Sequence, residues 1–337
     1  MIKGAFLTFL LAFALPSQAS ASVESAIEAA RSLVALRAMD ARVLTIGHRL
    51  AVANADLCPD RAIAPGIVVH GLSQYGPDHR QAAKAAFGLG EQPAILALAR
   101  GGAAAAAGLR EDDQLIRVGD GIFAPDAPGE ASSYAVVGGW TVQLEKGLQA
   151  GTVPVDILRN GQKLTVSISP EQGCPSRFQV VVASRFGGKA DGNYVQLTSN
   201  LVHRVQDDGE LAAVLAHELA HNILRHRDRL NEAGVSRGVL KYFGKNASSI
   251  KQTEIEADRL SVYLLERAGY PPAAAEAFWR RFGPQHPWGP FGTPTHPGWR
   301  SRAQSLAEEA AELKRRKDAG ETRPLPDFMQ MRQGAPD

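Results

Sequence analysis

The chain has 337 residues, 45% of them hydrophobic, enough for two domains with cores of their own and too apolar for a disordered chain. Its 37 basic residues against 35 acidic ones leave a formal charge of +2. That balance excludes a chain that lives on nucleic acid, and no polyanionic partner is implied.

Residues 1–21, MIKGAFLTFLLAFALPSQASA, carry a lysine, an apolar run from Gly4 to Leu15 and an A-x-A motif at Ala19-Ser20-Ala21. This is the pattern of a signal peptide cleaved near Ala21, so an exported chain is expected. The competing reading, a membrane anchor, needs ~20 apolar residues, more than this run supplies. No cysteine follows the cleavage motif, which argues against a lipid anchor, and no later segment is a candidate membrane span. The two cysteines, Cys58 and Cys174, are expected to form a disulfide in an oxidising compartment. The alternative, a metal or redox pair, lacks C-x-x-C spacing and an adjacent activating base.

From Val23 to about Ala55 apolar residues recur at helical spacing without proline, which predicts one long amphipathic helix in need of a partner surface. Residues 22–60 are read as an N-terminal helix packing on the domain formed by residues 174–337. His48 within it has no other ligand type beside it and reads as a packing or surface residue. Between 61 and 173 glycines, prolines and short β-type runs take over. ILALARGGAAAAAGLREDDQLIRVGDG (95–121) reads as strand, small-residue turn, polar turn and strand. TVQLEKGLQAGTVPVDILRNGQKLTVSIS (141–169) reads as a short helix and two strands joined by an Asn160-Gly161 hairpin.

That order resembles a PDZ domain of the kind found in bacterial periplasmic proteases, with AGLREDDQLIRVGDG standing where that family carries AGLxxGDxIxxVNG. Asp112 departs by replacing the usual glycine, and residues 122–139 form a long connection. The resemblance implies a C-terminal peptide ligand that adds to a sheet edge and is held at its carboxylate by backbone amides. Gly88-Leu89-Gly90 is the candidate amide loop, with an ordinary turn as the alternative. For the module as a whole the alternative is a β-rich spacer that binds nothing.

From Arg177 the chain reads strand, strand and then mostly helices, with Asp208 a candidate N-cap for a helix from about Gly209 to Arg229. On that helix His217 and His221 are four residues apart and project from one face, so one metal ion can touch both. Glu218 lies about 100° around from His217, placed to accept a proton from a water at the metal. HExxH alone is a short pattern that also occurs by chance, and a third ligand decides the case. A metzincin is excluded because Leu224 and Arg227 stand where glycine and histidine are required. A second predicted helix, SSIKQTEIEADRLSVYLLERAGYPP, carries Glu254 and Asp258 on one face. Glu254 would complete a His₂Glu zinc site, and Asp258 would orient a ligand histidine. Glu256 is a rival third ligand, and a solvated acidic face is the alternative to both.

These residues resemble the HtpX- and BepA-type (CAAX-prenyl-protease-like) zinc metallopeptidases, whose pattern is HExxH, then ExxxD, then histidine-proline with an arginine six residues after the histidine. Here the pattern falls on His217 to His221, on Glu254 to Asp258, and on His296, Pro297 and Arg302. The resemblance implies one Zn2+ per chain held by His217, His221 and Glu254 rather than Glu256. It also implies that His296 and Arg302 face the zinc, either supporting the oxyanion or, for a resting state, filling the open position. His286 competes with His296 but lacks an arginine at the matching offset. His226, five residues from His221 and turned away from the ligand face, reads as packing or hydrogen bonding.

The expected fold class is α+β, a mainly helical gluzincin-type peptidase domain with a small sheet (174–337) beside a β-rich PDZ-like domain (61–173). The expected function is a soluble, periplasmic zinc endopeptidase acting on polypeptides, with substrate lying as a strand beside GNYVQLTS. The rival is a peptide-binding quality-control factor or chaperone whose zinc site is structural or plugged by His296.

Overall fold

The computed structural model describes residues 18–235, 244–285 and 292–329. Residues 1–17 of the expected leader and His286 lie outside the described residues. Helix α1 (Gln18–Ala53) is followed by a first group of elements: β1 (Ala62–Ala64), β2 (Ile67–His70), α2 (Pro77–Phe87), β3 (Ala94–Leu98), α3 (Ala103–Ala106), β4 (Gln114–Val118), β5 (Gly121–Ile122), α4 (Ala135–Leu148), β6 (Val153–Arg159), β7 (Gln162–Ile168) and β8 (Glu171–Gly173). A second group comprises β9 (Arg177–Val181), β10 (Gly188–Ala190), β11 (Tyr194–Thr198), α5 (Ser199–Arg204), α6 (Asp208–Ile223), α7 (His226–Glu232), α8 (Gly244–Arg267), α9 (Ala274–Phe282), β12 (Gly292–Thr293), β13 (His296–Pro297) and α10 (Trp299–Asp318). Mixed helix and sheet agree with the α+β expectation. No described helix is long and apolar enough to cross a membrane.

The first group builds an antiparallel sheet in the order β2-β3-β4-β6-β7, with β5 paired to β4. Alternation sets its inner face: Leu115, Val155 and Ile157 are fully buried and meet Val137, Trp140, Leu144 and Leu148 of α4. Each such side chain contributes roughly 1.5–3 kcal/mol on burial. Asn160 and Gly161 both take positive φ, 51° and 78°, as a two-residue hairpin between β6 and β7 demands. Asp112 also sits at positive φ (66°), which is why a glycine suits that position, and its carboxylate is held by Arg37 of α1.

The second group packs helices around the small sheet β10-β11-β9, in which β11 and β9 run parallel and β10 antiparallel. Helix α1 finds its partner surface on both groups. Val43, Ile46, Leu50 and Ala51 enter the core beneath β9 and α6, while Leu44 packs with Ala97 and Ala99 of the first sheet. At Gly47 a β-carbon would stand 2.2 Å from the Phe178 ring, so the helix can lie on β9 only with glycine there. Cys58 and Cys174 form the expected disulfide, with 5.5 Å between their α-carbons, and β1 pairs with β8 beside it. Together they close the base of the whole 62–173 excursion.

Candidate active site

Helix α6 starts one residue earlier than expected. Asp207, not Asp208, is the N-cap and accepts a hydrogen bond from the Glu210 amide at 2.9 Å. The helix buries Leu211, Leu215 and Leu219 and turns His217, Glu218 and His221 toward a cleft of about 440 Å³. Helix α8 packs against it and brings Glu254 and Asp258 to the same place. His221 Nε2 stands 3.2 Å from His217 Nε2, and the Glu254 oxygens lie 3.4 Å from His217 Nε2 and 3.5 Å from His221 Nε2. A tetrahedron whose ligands stand ~2.1 Å from its centre has edges of ~3.4 Å, so this donor set fits a single zinc-sized ion. Among the described residues this trio is the cluster of metal-capable side chains within one ion's reach.

The back of each imidazole is engaged. His217 Nδ1 is 2.9 Å from Asp258 Oδ1. Asp258 in turn accepts from Arg302 Nε at 2.7 Å and from Arg302 Nη2, and the guanidinium lies 4.0 Å above the Trp279 ring. Arg302 Nη1 is 3.9 Å from Glu254. The arginine therefore lies beside the trio, with two of its donors clasping Asp258. His296 also reaches the cleft, with Nε2 3.8 Å from Glu254 and Nδ1 2.8 Å from the Thr295 hydroxyl.

Electrostatics follow from burial and these partners. Burial opposes charge on His217, but its hydrogen bonds to Asp258 and Glu254 prevail and raise its pKa to about 10, so the pocket draws positive charge. His221 is driven down to about 3, chiefly by burial. Burial raises Glu218 to about 7, close to the value suited to a general base at neutral pH.

Two expectations need correction. The helix does not run on to Arg229: it ends at Ile223, Arg225 takes φ 52°, and the chain restarts as α7. That left-handed residue swings His226 behind His221, its Nδ1 2.8 Å from His221 Nδ1, so it hydrogen-bonds as expected and stays off the face that presents Nε2. Glu256 is 3.2 Å from His226 Nε2 and also accepts from Arg229 Nη1 at 2.8 Å, outside the trio. The segment GNYVQLTS has no free edge for a substrate strand, because β11 is flanked by β9 and β10. The edge that lines the cleft is β10, whose Gly-Lys-Ala sequence has no strand signature. Its Gly188 lies so close to the site that a β-carbon would be 2.9 Å from Glu218 Oε1.

Away from the cleft, Gly88 (φ 63°) is the left-handed C-cap of α2 and Leu89 is buried against Phe87 and Ala94, the geometry of a turn. His48 is buried and 3.0 Å from Glu171.

A trio of this composition beside a carboxylate of raised pKa defines a metalloprotease-type centre, and residues 176–244 match peptidase family M48. That stretch holds His217, Glu218 and His221. A curated relative is the "Putative beta-barrel assembly-enhancing protease" of Vibrio cholerae serotype O1, 25% identical over 236 residues, covering 56% of this chain and 49% of that protein. The chain thus spans about half the length of the relative it matches. Both comparisons, one with a peptidase family and one with a protease, agree with a peptidase reading of the chain.

Proposed function

We propose that this chain is an exported, periplasmic zinc-dependent endopeptidase that hydrolyses peptide bonds of polypeptides such as misfolded or envelope proteins. The observation that carries the reading is the trio His217, His221 and Glu254 at tetrahedral spacing, with Glu218 beside it in the cleft. When bound, zinc would supply Lewis acidity, polarising the scissile carbonyl and acidifying water. Glu218 takes the proton of the attacking water and returns it to the leaving amine. Arg302 holds Asp258, and Asp258 holds His217; His296, which reaches the same cleft, would meet the oxyanion. Substrate lies extended along the β10 edge, where backbone groups of residues 188–190 can pair with it.

Residues 61–173 fit a PDZ-like module, on the support of an α4 helix packed across an antiparallel sheet, and would recruit substrate or regulate the site through a C-terminal peptide. The leader pattern and the disulfide support export. The position of His296, 3.8 Å from Glu254, favours one second reading. There it plugs the site and the chain acts as a peptide-binding chaperone.

Glu218→Gln is expected to retain about one zinc per chain and to lose peptide cleavage by ~10³-fold or more, given the ~10²–10⁴-fold worth of a general base. Cleavage at the wild-type rate removes Glu218 from this role. For the plug, His296→Ala separates the readings: a rise in cleavage supports it and a fall supports oxyanion stabilisation.

A further inference from the structure

The two ligand histidines are supported differently. Behind His217 stands a carboxylate, Asp258, in direct contact. Behind His221 stands a second imidazole, His226, which is only 2% exposed, and the carboxylate comes one step later as Glu256, clasped by Arg229. We propose that His226, backed by Glu256 and Arg229, is the positioning residue that fixes the tautomer and ring orientation of His221 for the metal. The inference rests on the zinc reading above and assigns a role to three residues outside the ligand set.

With Glu256 ionised and the His226 ring neutral, donor and acceptor arithmetic sets the direction of the relay. An ionised Glu256 can only accept, so the His226 Nε2 at 3.2 Å carries the hydrogen and donates. The neutral ring then has a bare Nδ1, which can only accept. Its partner at 2.8 Å, His221 Nδ1, must therefore be the N–H donor. With its hydrogen fixed on Nδ1, His221 presents a lone pair at Nε2, the atom 3.2 Å from His217 Nε2 and 3.5 Å from Glu254. The other tautomer would put a hydrogen where the ion has to sit. The rings of His221 and His226 meet edge to face, with centroids 4.8 Å apart, which also limits rotation of the ligand ring.

The backbone is bent to make this contact. On an uninterrupted helix residue 226 would lie well round from residue 221, and the pair meets only because Arg225 adopts φ 52°. A non-glycine residue there costs roughly 1–2 kcal/mol, and in return His226 and Glu256 are brought into line behind His221.

The test is zinc affinity of the folded protein by competition with a chromophoric chelator, together with the visible spectrum of the cobalt-substituted form. His226→Phe, which keeps the ring and loses the acceptor, is expected to bind one zinc 10–100-fold more weakly, the usual effect of removing such a support, and to shift the cobalt bands. His226→Gln, whose amide oxygen can accept from His221, is expected to recover most of the affinity. Unchanged zinc affinity and cobalt spectrum in folded His226→Phe overturn the proposal, because a residue that merely fills space would change thermal stability alone. If His226→Phe does not fold, Glu256→Gln takes its place: several-fold weaker zinc supports the relay, whereas wild-type affinity or a complete loss of stoichiometric zinc overturns it. Absence of zinc from the wild type would instead strike the zinc reading itself.

Discussion

Two buried aspartate–arginine clasps, one in each half of the molecule, look alike and do different things. In the β-rich half Asp113, 1% exposed, accepts from Arg159 Nε and Nη2, both at 2.6 Å, and its remaining partner is the Arg110 amide at 2.8 Å. In the helical half Asp258, 8% exposed, accepts twice from Arg302, and its remaining partner is the His217 imidazole. The first clasp closes on a turn of its own chain and ends there; the second opens through an imidazole onto a cleft. A buried ion pair by itself is therefore no sign of chemistry. What distinguishes the Asp258–Arg302 pair is the third group it holds, His217, and where that group points.

The comparison can be broken or sharpened by substitution. The largest effect is expected where the two halves are joined. Cys58→Ser with Cys174→Ser opens a closure spanning 116 residues and should cost ~4–5 kcal/mol by the chain-entropy account, read as a fall in denaturation midpoint. Zinc content of the protein that remains folded should be unchanged. Asp113→Ala, which breaks the ion pair with Arg159 and removes the acceptor of the Arg110 amide, should cost ~3 kcal/mol of stability and leave zinc affinity as it was. A drop in zinc affinity would show that the two clasps are coupled.

Between the halves, Asp40 of α1 accepts from the Val180 amide at 2.8 Å, yet burial raises its pKa to about 6. Its folded value is above the ordinary 3.8, so the folded state holds the proton more tightly. The associated stability is fully present below about 3.8 and is lost as pH rises through about 6, a change of ~3 kcal/mol. Asp40→Asn should remove that part of the slope, so its stability relative to wild type should climb from pH 4 to pH 7. A constant difference across that range contradicts the assignment. The smallest free-energy effect is expected from Asp258→Asn, which should weaken zinc binding 10–100-fold, or ~1.4–2.7 kcal/mol.

Much of the catalytic half was legible because its signals are local. HExxH and ExxxD each fix two side chains on one helix face, and the structure brings His217, His221 and Glu254 together. The leucines around them marked a buried helix. What escaped was decided by single backbone torsions or by non-local pairing. Nothing in LAHNILRHRD announces that Arg225 will turn left-handed, so the contact between His226 and His221 was not readable, and only the resemblance, not the residues alone, chose Glu254 over Glu256. The strand Gly188–Ala190 carries no β-branched residue and exists because β11 offers it an edge. In the other half, Asn160-Gly161 and the alternating β6 and β7 were readable as a hairpin, whereas Gly88-Leu89-Gly90 read equally as an amide loop or an ordinary turn, because the sequence does not show that Gly88 caps α2 and Leu89 is buried.

The central claim is that His217, His221 and Glu254 hold one zinc ion. Elemental analysis of purified wild type beside Glu254→Ala tests it most directly. About one zinc per folded wild-type chain, lost in the variant, is the predicted result. A folded wild type that takes up no zinc when it is supplied, or a Glu254→Ala variant that keeps it at full affinity, contradicts the account.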